Sequence, residues 1–460
     1  MDRSRLFSAV AWRFQSLADG FPFGLAPMVI VVLMLVSGSW LLFHPIPQNT
    51  ATLRLWTFAT VHCDAYKQAV PGFEAQHPGV TVDVELVHGD AITSRLQSAF
   101  WASLDVPDLV EVEISQAGAF FRGPVADVGF VDLTDWLKQS GYLDRIVKSR
   151  FSPYTSRGRV FGLPHDVHPV MLAYRRDLFE RLGIDADKLQ TWDDFVHEGR
   201  RVTKRGHRYM IQFSDVTSQN LEMLLFQRGG GYFDANGDLL MDNEITVETI
   251  KWYIPLVAGS HLIASDPGAS DQAFTRAVED GYILSFICPD WRSRLIERNV
   301  PQMAGKMALM PLPAFTRGGR RTSTWGGTML GITKHCRNKE LAWQLAQYLY
   351  FDRQQLAARY RETNILSPLK PAWDLPVLRE PRPYWSDQPI GKLYAELAEQ
   401  VPPQYVSPFT SLAKEKLGQV VSACASYYSS HGEEGFEAFV RVRLKQAADD
   451  VRRQMERNPF

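Results

Sequence analysis

The sequence predicts an α/β protein of two or more domains, preceded by a single membrane-spanning helix. Three observations carry this expectation. Between Asp19 and His44 runs GFPFGLAPMVIVVLMLVSGSWLLF, uncharged throughout and long enough to cross roughly 30 Å of hydrocarbon as a helix. From residue 51 onward, alternating apolar segments take turns with segments of helical period. The chain has 460 residues, 45% hydrophobic and 22% charged, which is enough for more than one core.

At the N-terminus, residues 1–20 are expected in the cytoplasm and 21–43 as a signal anchor. Arg3, Arg5 and Arg13 precede the apolar run, whereas His44 to Leu53 contains no Lys or Arg, the asymmetry that keeps an N-terminus inside. A cleaved signal peptide is the alternative, with Ser37-Gly38-Ser39 as its site, but cleavage there would leave Trp40–Phe43 uncovered. No cysteine stands directly after the run, which excludes a lipoprotein anchor. The remaining chain then lies outside the cytoplasmic membrane, in the periplasm or outside the cell. Cys63, Cys288, Cys336 and Cys424 are compatible with free thiols or with three disulfide pairings, and their spacing fits no metal motif. Lys and Arg number 50 against 51 for Asp and Glu, so no global field attracts nucleic acid.

The elements follow in order. ATLRLWTFAT alternates and is rich in strand formers, DAYKQAVPGFEAQHPG has a helical period running into a turn, and VTVDVELVH alternates again, a β-α-β unit. A helix over AITSRLQSAFWASL, a turn at Asp105–Asp108 and a strand over LVEVEI continue the alternation, so a mostly parallel sheet covered by helices is the economical architecture. FGLPHDVHPVMLAYRRDLF forms a proline-bounded polar elbow running into an apolar strand. Thr191-Trp192-Asp193-Asp194 offers a capping hydroxyl with a carboxylate three residues on, which starts a helix and a second lobe. From YMIQF onward short strands mix with helices. MALMPLP and TSTWGGTMLGIT are returning strands joined by TRGGRR, and beyond residue 338 the pattern is mainly helical, ending in amphipathic GFEAFVRVRLKQAADDVRRQME.

Chemistry-bearing motifs are few. DANGD resembles the start of a calcium loop but lacks Gly at the sixth and Glu at the twelfth position, which makes it a surface turn. QRGGGYF lacks the spacing of a phosphate loop. There is no G-x-S-x-G, no H-E-x-x-H and no paired cysteine ligands. Glu111 and Glu113 share one strand face, which is as consistent with a polar edge as with a hydrolytic pair.

Several blocks in one order carry a family resemblance across roughly residues 52–370: LRLWTF, FEAQHPGVTVDVE, PDLVEVE, GRVFGLPHDVHPVMLAYRRDLFERLGIDADKLQTWDDF, AFTRAVEDGYILSFICPDW and WGGTMLGITKHCRNKELAWQLAQYL. Together they resemble the extracellular solute-binding proteins of ABC importers, in the carbohydrate-binding, maltose-binding-protein-like group. The resemblance implies a periplasmic-binding-protein type II fold with a hinge and an interlobe cleft. Lobe 1 would span 52–163, completed by roughly 315–370, and lobe 2 would span 164–314, completed by roughly 371–457. It implies a monomer that captures a mono- or oligosaccharide and passes it to membrane permease subunits, with no catalysis, cofactor or metal. Residues 162–169 would form the first crossing between lobes, with Asp166 and His168 facing the cleft.

By the same resemblance the remaining ligand contacts are Trp56, Glu111, Glu113, Ser115, Gln116, Asp290, Trp291, Trp325, Gly326 and Gly327. Sugars need this mixture, because their C–H faces stack on rings while carboxylates and amides hold their hydroxyls. The chain departs from the pattern by lacking the lipid-attachment cysteine and by reading Cys-Pro-Asp-Trp at 288–291, without the family's glycine. The alternatives are a tethered hydrolase using Glu111 or Glu113 with Asp166, and a sensor signalling to a membrane partner.

Overall fold

The computed structural model describes residues 25–43, 51–102, 105–268 and 271–457. Leu25–Phe43 is a helix without a charged residue, and the side chains of Val29–Val36 and Trp40 are exposed. Its side chains are described over 26–40, and among the described residues no helix is long and apolar enough to cross a membrane. The described residues up to Ala51 and those from Thr52 onward fall into two separate units.

In the larger unit, β1 (Leu53–Thr57) pairs in parallel with β2 (Val82–Leu86) and β3 (Leu109–Glu113). The intervening helices Thr60–Gln76 and Gly89–Ala102 return the chain to the end of the sheet where β1 began, and β2 and β3 flank β1 on opposite sides. Thr60–Gln76 buries His62, Cys63, Tyr66, Val70 and Phe73, one stripe at helical spacing. After a hairpin of β4 (Thr155–Ser156) and β5 (Arg159–Val160), β6 (Leu163–Pro164) leads into β7 (Val170–Arg175), which pairs with β8 (Ser285–Pro289) and β9 (Met307–Pro311). The chain then returns as β10 (Thr328–Ile332) to the first sheet, whose order is β2-β1-β3-β10-β6, while the second is β8-β7-β9.

The expectation of a mostly parallel sheet needs correction. β10 runs antiparallel to β3 and β6, and every pair in the second sheet is antiparallel. β10 re-enters from the second sheet rather than through a helix packed on the first, so nothing forces the parallel direction. YMIQF makes only isolated bridges, Tyr209 to Ile283 and Ile211 to Ala264.

Alternation along β7 and β8 divides the packing. Met171, Ala173, Phe286 and Cys288 join a core with Leu55, Tyr350 and Tyr394, while Val170, Leu172 and Ile287 join one with Trp192, Leu417 and Val440. The Thr191 capping box is present, each partner bonding the other's backbone, and Trp192, Phe195, Gly199 and Val202 are buried behind it. All four cysteines are buried free thiols. DANGD is a turn in which Asp234 accepts the amides of Asn236 and Asp238.

Candidate functional site

Three chain segments lie side by side between the sheets. Val167 N–H donates to Leu366 O at 3.1 Å, His165 N–H to Thr328 O at 2.9 Å, and Val170 N–H to Ser323 O at 3.3 Å. Residues 165–169, the proline-bounded elbow, are thus the middle strip between β6 and β7. Beside it opens a cavity of about 330 Å³ whose wall includes Phe58, Glu113, His168, Trp291, Trp325 and Gly326.

The elements explain these positions. Glu111 and Glu113 share the face of β3, and two residues of strand advance Glu113 about 6.6 Å, past the sheet and into the cavity. There its Oε2 accepts both donors of Ser115, while burial raises its pKa against those bonds. Trp291 stands in the first turn of the helix Asp290–Asn299. Its ring meets Trp325 edge to face, with centroids 5.3 Å apart and planes at 74°, and its Nε1–H donates to Trp325 O at 3.0 Å. The Arg292 guanidinium lies 5.2 Å from the Trp325 centroid, so at most one face of that ring is open to a ligand. Gly326 holds φ at +85°, and a Cβ on Gly327 would collide with the Arg150 guanidinium and the Tyr154 hydroxyl.

Beneath the wall runs a sealed polar network. Asp166 accepts from Arg150 Nη2 at 3.0 Å, Thr328 N–H at 3.0 Å and His168 Nε2 at 3.1 Å. Asp290 accepts from His168 Nδ1 at 2.6 Å, Trp291 N–H at 2.7 Å and Leu366 N–H at 2.8 Å. His168 therefore bridges two carboxylates at a φ of +52°, a conformation uncommon for a side chain with a Cβ. Burial lowers its pKa, but Asp166 and Asp290 outweigh this and push it up to about 9. Burial would raise Asp166, yet His168, His165 and Arg150 hold it well below the usual carboxylate range. Burial, Arg359 and His62 bring His165 down to about 3.

Glu111 is fully buried and accepts from Thr57, His62 Nδ1 at 2.9 Å, Tyr66 and Tyr350. Burial would raise its pKa, but His62, His165 and Thr57 lower it. Ligand atoms of His62, Glu111 and His165 lie within 4.8 Å of one another, a spacing a metal ion could use. The charges argue otherwise. Glu111, Asp166 and Asp290 balance Arg150, Arg359 and protonated His168 in this buried network, and a dication would be uncompensated there.

The expected contact residues thus divide. Glu113, His168, Trp291, Trp325, Gly326 and Gly327 line the cavity. Glu111, Asp166 and Asp290 are fully buried and do not line it, because each carboxylate is turned into the network by donors from distant segments. Neither nitrogen of His168 is left for a ligand, so it contributes its ring alone. Trp56 alternates out of β1 towards Arg95, 5.9 Å from its ring. Ser115 braces Glu113, and Gln116 bonds Thr93 at 2.6 Å and Asp90 at 3.0 Å.

Sequence reasoning missed Phe58, His62, Val61, Leu295, Thr328 and Ile365, which also line the cavity. The first three follow the C-terminal end of β1, where ligands of α/β sheets bind, and that rule was the available signal.

A model of the family described as bacterial extracellular solute-binding protein matches residues 61–356. An arabinooligosaccharide-binding protein of Halalkalibacterium halodurans is 25% identical over 375 residues, 80% of this chain and 83% of the relative. A protein of that description from Bacillus subtilis is 27% identical over 294 residues, 63% of this chain and 67% of the relative. The sugar-binding protein MalE from Xanthomonas citri superposes with a TM-score of 0.71 at 20% identity, covering 89% of this chain and all of that one (100%). The fold is that of the two-lobed α/β binding proteins.

Proposed function

Since the chain belongs to the bacterial extracellular solute-binding protein family, a family of binding proteins rather than enzymes, we propose that it captures a carbohydrate in the cavity between its sheets. The observation that carries this reading is the Trp291–Trp325 pair set beside Glu113. One ring offers a face for sugar C–H groups and the carboxyl offers a hydroxyl partner. The similar arabinooligosaccharide-binding and MalE proteins support the same ligand class. The hydrolase alternative loses its second carboxyl, because Glu111 and Asp166 are sealed away from the cavity.

The delivery partner in this reading is an ABC permease, served by a monomer. The uncharged run 21–43, with its upstream arginines, tethers the domain on the outer side of the cytoplasmic membrane. Lobe 1 comprises 52–163 with roughly 315–370, and lobe 2 comprises 164–314 with roughly 371–457. The Tyr394 hydroxyl donating to Cys288 O at 3.1 Å and Arg452 donating to Asp242 at 2.7 Å support the second assignment.

Two measurements test this. A ligand at about one hundred times its dissociation constant adds roughly 2.7 kcal/mol to the folded state, so a thermal-shift panel of mono- and oligosaccharides is expected to contain a stabiliser. Trp291→Ala is expected to weaken its binding by about 1–3 kcal/mol. Stabilisation by amino acids, peptides or polyamines and by no sugar refutes the carbohydrate reading. In cells, protease added outside the cytoplasmic membrane is expected to digest residues 52–460, and their protection refutes the tethered topology.

A further inference from the structure

The cavity wall is poor in hydrogen-bond acceptors. Phe58, Val61, Trp291, Leu295, Trp325 and Ile365 supply most of its surface, and the polar groups among them are largely committed elsewhere. His168 spends both nitrogens on Asp166 and Asp290. Arg294 donates to Glu362 O at 3.0 Å and to Glu297 at 2.9 Å. Thr363 Oγ1 donates to Arg359 O at 2.8 Å and accepts from Ile365 N–H at 3.1 Å.

The side-chain acceptors that remain are Glu113 Oε1 and Thr328 Oγ1. His62 also reaches the cavity, with its Nδ1 held at 2.9 Å by Glu111. The amides of Gly326 and Gly327 can add donors, but a sugar hydroxyl that must give its hydrogen gains nothing from them.

A fully hydroxylated pyranose carries a hydroxyl on nearly every ring carbon. Seated in a half-open cavity of about 330 Å³, near the lower end of small-molecule sites at roughly 300–1,000 Å³, such a ring would turn some of those hydroxyls against only apolar wall. Each buried donor without a partner weakens binding, whereas a methyl in its place gains by burial.

Resting on the carbohydrate reading, we propose that the sugar unit held here is hydroxyl-poor, a 6-deoxy or O-acetylated residue whose methyl group packs against Phe58, Val61, Leu295 and Ile365. His62 is then a ligand-binding residue, its imidazole oriented by Glu111 to hydrogen-bond one of the remaining hydroxyls.

Calorimetric titration with matched sugars that differ only in this feature tests the proposal: L-fucose against L-galactose, L-rhamnose against L-mannose, and acetylated against deacetylated xylotriose. The deoxy or acetylated member of at least one pair is expected to bind about tenfold more tightly than its partner. Val61→Thr, which adds a hydroxyl at nearly constant volume, is expected to narrow that ratio, with its melting point checked alongside. If the fully hydroxylated members bind as tightly or more tightly, the proposal fails while the carbohydrate reading stands. If no sugar of either series binds, the proposal fails, and the carbohydrate reading falls with it only when the wider thermal-shift panel also contains no stabilising sugar.

Discussion

Replacing Asp166 with alanine is expected to lower the free energy of unfolding by about 3–5 kcal/mol, the cost of removing one partner from a buried ion network. The loss appears without any ligand. Arg150 and His168 would keep their charges in a fully buried setting, and the amide of Thr328 would lose its acceptor. Asp166→Asn, which keeps the shape and one acceptor but not the charge, should fall between the variant and the parent. Urea denaturation followed by tryptophan fluorescence reads all three. By contrast, Trp291→Ala removes a ring from a cavity wall and should act on ligand affinity more than on unliganded stability. If Asp166→Ala instead keeps the parent's unliganded stability and abolishes sugar binding, the carboxylate faces the cleft and the sealed network is wrong.

The same residue shows where sequence reading reaches its limit. The β-α-β start, the Thr191 capping box and the turn at Asp234 were legible because each is fixed by neighbours a few residues apart. The elbow was legible as a junction because two prolines and a run of polar residues cannot continue either sheet. The direction of β10 was not legible, since it is set by where the chain returns from β9 and not by anything local to TMLGI.

Glu111 and Asp166 carry no local mark of burial. Their donors, Tyr350 for one and Thr328 for the other, lie 239 and 162 residues away. A carboxylate on or beside a strand therefore looks like a ligand contact until those partners are placed. Phe58, Val61 and Ile365 fail in the opposite sense, because an apolar wall residue and an apolar core residue are the same letter. Only their position beside the end of β1 and the third crossing segment separates the two.

Stability is expected to peak near pH 6.5 and to fall on both sides for two different histidines. His168, pushed up to about 9 by Asp166 and Asp290 against a free value of 6.5, binds its proton more tightly folded than unfolded. Its contribution is complete below pH 6.5 and is lost as pH rises through about 9, so stability declines by about 2–3 kcal/mol between pH 6.5 and 8.5. That window isolates it. The buried thiols of Cys288, Cys336 and Cys424, pushed up to about 12 by burial, weaken the fold only above their free value of 9.0. His165 has the opposite sign. Burial, Arg359 and His62 bring it down to about 3, so its contribution is present above pH 6.5 and is lost as pH falls towards that value. Below about pH 4 the depressed carboxyls of Asp166 and Glu111 add to the same acid limb. Denaturant midpoints measured from pH 4 to 8.5 should therefore trace an asymmetric dome. His168→Gln is expected to flatten the alkaline limb and leave the acid limb in place, because it removes the proton held between Asp166 and Asp290 and leaves His165 buried against Arg359. An alkaline limb that persists unchanged in that variant would place its origin outside the crossing between the two sheets.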